Sequence, residues 1–198
     1  MGDKLVKRMV LAITGASGVI YGIRMAEELL LRDFEVHLIA SDAACIVLEQ
    51  ELDWDFSAGR VQTFCQHLPG SNLVYYDNDD IAAPLASGSF LTQGMIVMPC
   101  TMSTLSAIAY GSSNNLISRV ADVMLKEKRQ LILVPRETPL NTIHLRNMLS
   151  LSEMGVHIVP AMPGFYSKPT SIDEIVNFLV GKVLDLLNVP NDLYNRYV

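Results

Sequence analysis

Cysteine is scarce in this 198-residue sequence: Cys45, Cys65 and Cys100 are odd in number, widely spaced and form no CxxC pair. That pattern excludes a disulfide framework and suits reduced thiols in the cytoplasm. Long apolar runs are missing too, so nothing in the chain is expected to span a bilayer, and the N-terminal MGDKLVKR has no apolar signal region behind its charges. Positive charge is in deficit, with 15 Lys and Arg against 21 Asp and Glu and a net charge of −6, which argues against a general nucleic-acid surface. Repeats and low-complexity segments are absent. Charge of either sign is thin at 18% while hydrophobic residues make up 50%, so part of the apolar surface is expected to be buried between subunits of a homo-oligomer. The length fits one domain over 1–198, with a C-terminal tail from about 188.

Short apolar runs alternate with amphipathic stretches. MVLAI (9–13), VHLIA (36–40), MIVMP (95–99), LILVP (131–135) and VHIVP (156–160) read as buried parallel strands. Helices are predicted at 20–31, with Ile20, Ile23, Leu30 and Leu31 on the core face, after Ser41, near Ser103, and at 116–126, 145–154 and 172–187. The last opens with Ser171 and Glu174 at capping-box spacing. The region 53–92 mixes Pro, Gly, Ser and Asp and reads as long loops around at most one short strand. Strand-helix alternation of this kind predicts an α/β fold: a three-layer doubly wound parallel sheet, Rossmann or flavodoxin-like, with ligands at the carboxyl ends of its strands.

The residues that follow each apolar run are therefore the ones to read. They are TGASG (14–18), Ser41, CTMSTLS (100–106), RETP (136–139) and AMPGFYSKP (161–169). Hydroxyls, backbone N–H groups, a Tyr and an Arg-Glu pair suit a phosphorylated ligand with a flat polar ring. A dinucleotide does not fit, because Gly15, Gly18 and Gly22 give GxxGxxxG in place of GxGxxG, and Ser41 stands where the ribose-binding acid belongs. No Tyr-x-x-x-Lys occurs either. A mononucleotide is the better expectation.

TGASGVIYG (14–22), ASGSF (86–90), PCTMSTLSAIAYG (99–111), ADVMLKEKRQLILVPRETPL (121–140) and MPGFYSKP (162–169) resemble, in order and over nearly the whole chain, the flavin prenyltransferases of the UbiX type. The resemblance implies an enzyme that joins a dimethylallyl group from dimethylallyl phosphate to N5 and C6 of reduced FMN without a metal. It implies a dodecamer, and a UbiD-type decarboxylase as recipient of the prenylated FMN. Carried over by motif, FMN would meet Gly15, Ala16, Ser17, Ser41, Thr101, Met102, Ser103, Thr104 and Arg136. Helix N-termini at these turns supply N–H donors, and Arg offers a planar fork. The prenyl phosphate would meet Ser87, Gly88, Arg119, Lys126, Tyr166 and Lys182, since an allylic phosphate ionises only where its leaving charge is stabilised. Lys182 stands where Arg is usual, and Ile81 where some members carry an aromatic. Ser17, Glu51, Glu137 and Lys126 are the implied catalytic residues, with Glu137 taking the C6 proton through or beside Ser17.

Each of these residues also has a plainer reading. Ser17 suits a helix cap, Lys126 and Arg119 suit exposed helix charges, and Glu137 suits a structural partner of Arg136. DNDD (77–80) reads as a solvated turn, His37, His67, His144 and His157 show no ligand spacing, and Cys100 reads as a buried small residue. Two other functions share the fold: an FMN-dependent cysteine decarboxylase, and a non-catalytic FMN carrier or decarboxylase subunit.

Overall fold

The computed structural model describes residues 7–68 and 70–196; the opening residues of the MGDKLVKR stretch and the last two of the C-terminal tail lie outside them. Six strands, β1 (Arg8–Ile13), β2 (Glu35–Ala40), β3 (Leu73–Asp77), β4 (Gly94–Cys100), β5 (Gln130–Pro135) and β6 (His157–Ile158), pair in parallel in the order β3-β2-β1-β4-β5-β6. Seven helices connect or flank them: α1 (Val19–Leu31), α2 (Asp42–Leu52), α3 (Arg60–His67), α4 (Met102–Ala109), α5 (Leu116–Lys126), α6 (Thr142–Glu153) and α7 (Ile172–Leu186).

Both faces of the sheet are covered, which explains why its strands are continuous apolar runs with no polar alternation. Along β1, Met9, Leu11 and Ile13 pack with Met25 and Leu29 of α1 and Val180 and Val183 of α7, while Val10 and Ala12 pack with Leu105 of α4 and Val120 and Met124 of α5. The chain winds outward from β1 in one direction and from β4 in the other, so the order reverses between these two neighbours. Such a reversal opens a crevice beyond the strands' carboxyl ends.

Three local expectations need correction. Region 53–92 contains α3 as well as a strand; its RVQTFCQH sequence buries only Thr63 and Phe64, too sparse a pattern to announce a helix. In α1, Ile23 and Leu30 are buried but Ile20 is only partly so and Leu31 is 66% exposed, the core face being carried by Val19, Met25, Ala26 and Leu29. Of the run 156–160 only His157 and Ile158 form strand β6, although the Val159 and Ala161 amides still donate to the Leu133 and Pro135 carbonyls of β5 at 2.8 and 2.9 Å.

Polar contacts close the ends of the structure. Buried Glu28 is paired with both Arg24 and Arg32 of its own helix. Ser171 caps α7 through the Glu174 amide at 3.2 Å, but the Glu174 carboxylate reaches the Thr170 amide (2.7 Å) and not Ser171. Beyond α7 the chain turns back, and Asp185 accepts hydrogen bonds from Asn191, Tyr194 and Arg196.

Candidate functional site

Three helices begin at the crevice, because α1, α2 and α4 follow the adjacent strands β1, β2 and β4. Their N-termini converge, and each brings unpaired N–H groups and a partial positive charge. The glycines that make this possible do separate jobs. A Cβ on Gly15 would run into Ala43 at the start of α2, and one on Gly22 would run into the Met98 carbonyl of β4. Gly18 takes φ +92°, a left-handed conformation that side chains rarely adopt.

Thr14 couples the two halves of the crevice. Its buried hydroxyl donates to the Pro99 carbonyl and accepts from the Thr101 amide, both at 2.8 Å. It belongs to none of the predicted site residues, although a polar residue directly behind a buried strand was the signal that could have found it. Thr101 then caps α4 by accepting from the Thr104 amide at 3.1 Å, with the two hydroxyls 2.9 Å apart. Met102 is buried under the turn while Ser103 faces outward. Ser41 caps α2 in the same way, accepting from Ala44 at 3.1 Å.

Ser17 does not cap α1. That place is taken from across the crevice by Glu51, near the end of α2, whose carboxylate accepts from the amides of Gly18 (2.9 Å) and Val19 (3.2 Å). An anion thus already sits on the α1 N-terminus, the physical test that these amides suit a phosphate or carboxylate. From the end of β5, Arg136 donates through Nε to the Ser17 carbonyl at 3.1 Å. Its guanidinium is therefore directed at the first turn, and among the described residues no ion pair joins it to Glu137. The Glu137 carboxylate instead accepts from the Thr138 amide at 3.0 Å. Arg136 and Glu137 border a hollow of about 250 Å³ whose apolar wall includes Leu140, Met148, Pro160 and Met162. Gly15, Ala16, Ser17, Ser41, Glu51, Thr101 to Thr104, Arg136 and Glu137 are accordingly gathered at one rim.

Lys126, with Ser87 and Gly88 beside it, is not at that rim. Lys126 precedes β5 and Arg136 follows it, so a strand of six residues lies between them, roughly 17 Å at about 3.3 Å per residue. Lys126 sits with Gly88, where a Cβ would come within 3.0 Å of Nζ, and with Glu127, which accepts from Nζ at 2.9 Å. The Ser87 and Ser89 hydroxyls bond each other at 2.8 Å beside it. Arg119, a turn into α5, pairs with Asp122 at 3.1 Å. Tyr166 and Lys182 form a third group along α7: Tyr166 packs on Phe178 (5.7 Å between ring centres), Phe178 on Tyr194 (5.2 Å), and the Lys182 ammonium lies 5.8 Å from the Tyr194 ring.

The plainer readings hold at the decoys. Asn78 of DNDD receives the first amides of α5, His37 bonds Glu35 and Tyr76, His67 stacks on Trp54, and His144 completes the α6 capping box with Asn141. Burial pushes the Cys100 thiol well above its ordinary range. Ile81 is exposed. Among the described residues no group of three or more His, Cys, Asp or Glu could hold a metal, and no helix is long and apolar enough to cross a membrane.

The chain is similar to known flavoproteins over nearly its whole length. The family profile described as Flavoprotein matches residues 2–184. A flavin prenyltransferase UbiX of Alkalihalophilus pseudofirmus is 50% identical over 199 residues, covering 100% of this chain and 99% of that protein. The solved structure of AnUbiX (PadA1) in complex with FMN and dimethylallyl pyrophosphate superposes with a TM-score of 0.89 at 41% identity, covering 98% of each chain. A dodecameric FMN-dependent UbiX-like decarboxylase from Escherichia coli O157:H7 superposes at 0.86 with 40% identity, covering 96% of this chain and 99% of that one.

Proposed function

The chain belongs to the flavoprotein family and, within it, to the flavin prenyltransferases of the UbiX type, and from that membership we propose how its residues divide the work. The enzyme transfers a dimethylallyl group to FMN. Three helix N-termini meeting Arg136 and Glu137 at the β1/β4 reversal are the observation that carries the site assignment.

The turn at Gly15 to Ser17, with Ser41 and the α4 turn at Thr101 to Thr104, holds the FMN phosphate and polar ring edges, and Arg136 fixes the first turn against them. Reduced FMN supplies the nucleophilic N5 and C6 positions. Ser87, Gly88, Arg119, Lys126, Tyr166 and Lys182 hold the prenyl donor's phosphate, and the positive charge of Arg119, Lys126 and Lys182 stabilises the leaving group as its charge develops. Glu137 accepts the proton lost from C6, with Ser17 beside it as relay and Glu51 holding the turn that carries Ser17. In one chain Lys126 lies about a strand's length from Arg136 at the flavin turn, so a complete pocket combines residues of neighbouring copies in a homo-oligomer. We assign the dodecamer, cytoplasmic location and delivery of prenylated FMN to a UbiD-type decarboxylase to the same reading.

A cysteine decarboxylase of this fold would have no use for a prenyl-phosphate pocket, and an FMN carrier would not need Lys126, Tyr166 and Lys182 together. The deciding experiment incubates purified protein with reduced FMN and either dimethylallyl phosphate or the pyrophosphate, and weighs the flavin by mass spectrometry. The expected product is FMN carrying one prenyl unit, and the faster donor identifies the phosphorylation state the pocket accepts. Unaltered flavin with both donors sinks the proposal.

A further inference from the structure

Lys126 and the Ser87–Ser89 turn come from different parts of the chain, and their meeting needs a cause. The turn has no strand or helix of its own to hold it: a short helical turn ends at Ala86 and β4 begins only at Gly94. What reaches it is Arg129, three residues after Lys126 and directly before β5. One guanidinium nitrogen of Arg129 donates to the Phe90 carbonyl at 2.7 Å and the other to the Gly88 carbonyl at 2.5 Å. The planar fork therefore spans the turn with both arms, a geometry that a single ammonium does not reproduce. Its own backbone is held by the Met124 carbonyl at 2.9 Å, so the fork is anchored to the same α5 end that presents Lys126. From the other side the Phe90 ring is fixed edge-on by buried His37 (5.1 Å) and under the Arg8 guanidinium (5.1 Å).

Gly88 is pressed so closely to the helix end that a Cβ there would collide with the Glu127 carboxylate. Arg129 spends its donors on carbonyls, whereas Lys126 pairs, among the described residues, with Glu127. The two cations thus have different tasks, one shaping the turn and one left to meet an incoming anion.

We propose that Arg129 is a positioning residue for the prenyl-phosphate subsite, clamping the Gly88 and Phe90 carbonyls so that the turn's hydroxyls and amides face the same anion as Lys126. The inference rests on the assignment of Ser87, Gly88 and Lys126 to that subsite. Arg129→Met keeps the length of the side chain and removes both donors, and Arg129→Lys keeps the charge with a single donor position. The expected result is a KM for dimethylallyl phosphate raised about tenfold or more in Arg129→Met, with kcat at saturation and FMN affinity within about twofold of the parent, and partial recovery in Arg129→Lys. Unchanged KM overturns the proposal, as does a parallel loss of FMN affinity, which would mark Arg129 as general scaffolding.

Amide hydrogen exchange decides the matter independently of turnover, with inorganic phosphate as the probe. Phosphate should slow exchange at residues 87–90 of the parental protein and fail to do so in Arg129→Met, or in Arg129→Lys to a lesser degree. Equal protection in parent and variants overturns the proposal. A parent that shows this phosphate protection yet leaves FMN unaltered would refute the enzymatic assignment while upholding the clamp.

Discussion

At the scale of single residues, the two ends of the proposed reaction are carried by different chemistry and should fail differently. Lys182 is exposed on α7 near the Tyr194 ring. Lys182→Ala should therefore raise the barrier with dimethylallyl phosphate by about 2–4 kcal/mol, the range for removing one preorganised stabiliser of developing charge, and leave FMN affinity unchanged by calorimetry. Among the described residues Glu137 accepts from the Thr138 amide, and Arg136 is turned toward Ser17. Glu137→Gln keeps that acceptor and loses the base, so FMN should bind normally while prenylated flavin forms about 10²–10⁴-fold more slowly. Formation at the parental rate would reduce the carboxylate to a cap for the Thr138 amide. Sequence placed both residues in the candidate site, but it paired Glu137 with Arg136 because they are adjacent. Adjacent side chains behind a strand need not share a direction, and here they do not.

At the scale of elements, α1 is held against β4 by the absence of a side chain. Gly22→Ala would put a methyl group onto the Met98 carbonyl and Ile13, which can yield only by moving the helix. A loss of about 1–3 kcal/mol is expected in denaturant unfolding, as for other overpacked contacts. The same shift would move the α1 N-terminus, so FMN affinity should fall with it. At the other end, Asp185 gathers the returning tail: the Arg196 guanidinium foremost, with Tyr194 and Asn191, holds its carboxyl down to about 2 against the opposing effect of desolvation. A depressed carboxyl contributes stability that is present above its unfolded value near 3.9 and disappears as pH falls through the folded one. Melting temperature should thus decline between about pH 4 and pH 2 in part through this group, and Asp185→Asn should flatten that part of the profile. An unchanged acid profile in the variant would mean the tail is held by Val189 and Leu193 against the core alone.

At the scale of the whole molecule, the separation between the flavin rim and the Lys126 group predicts complementation between chains. Ser17→Ala and Lys126→Ala should each be nearly inactive, yet oligomers assembled from a mixture of the two should recover activity, because some pockets then draw every residue from an intact source. No recovery in mixed oligomers whose exchange is verified by mass would require the pocket to close within one chain. Apolar side chains left exposed on α6, at Ile143, Leu145 and Leu149, and in the following loop, at Met162 and Phe165, accord with a chain that buries further surface against its copies.

Sequence by itself determined the alternation of strands and helices, since continuous apolar runs require a sheet covered on both faces, and determined that the loops behind those runs would hold the chemistry. It also determined that a dinucleotide would not fit, from the spacing of Gly15, Gly18 and Gly22. Only the tertiary structure decided that Glu51 sits on the α1 amides, that Thr14 ties β1 to β4, and that Arg129 holds a turn about forty residues upstream. These are contacts between segments distant along the chain, and their formation depends on strand order and helix packing, which leave no local pattern. The separation of Lys126 from the flavin rim belongs to the same class: Gln130 and Pro135, the ends of β5, are neighbours of Lys126 and Arg136 and close in sequence, but the extended backbone sets them far apart in space.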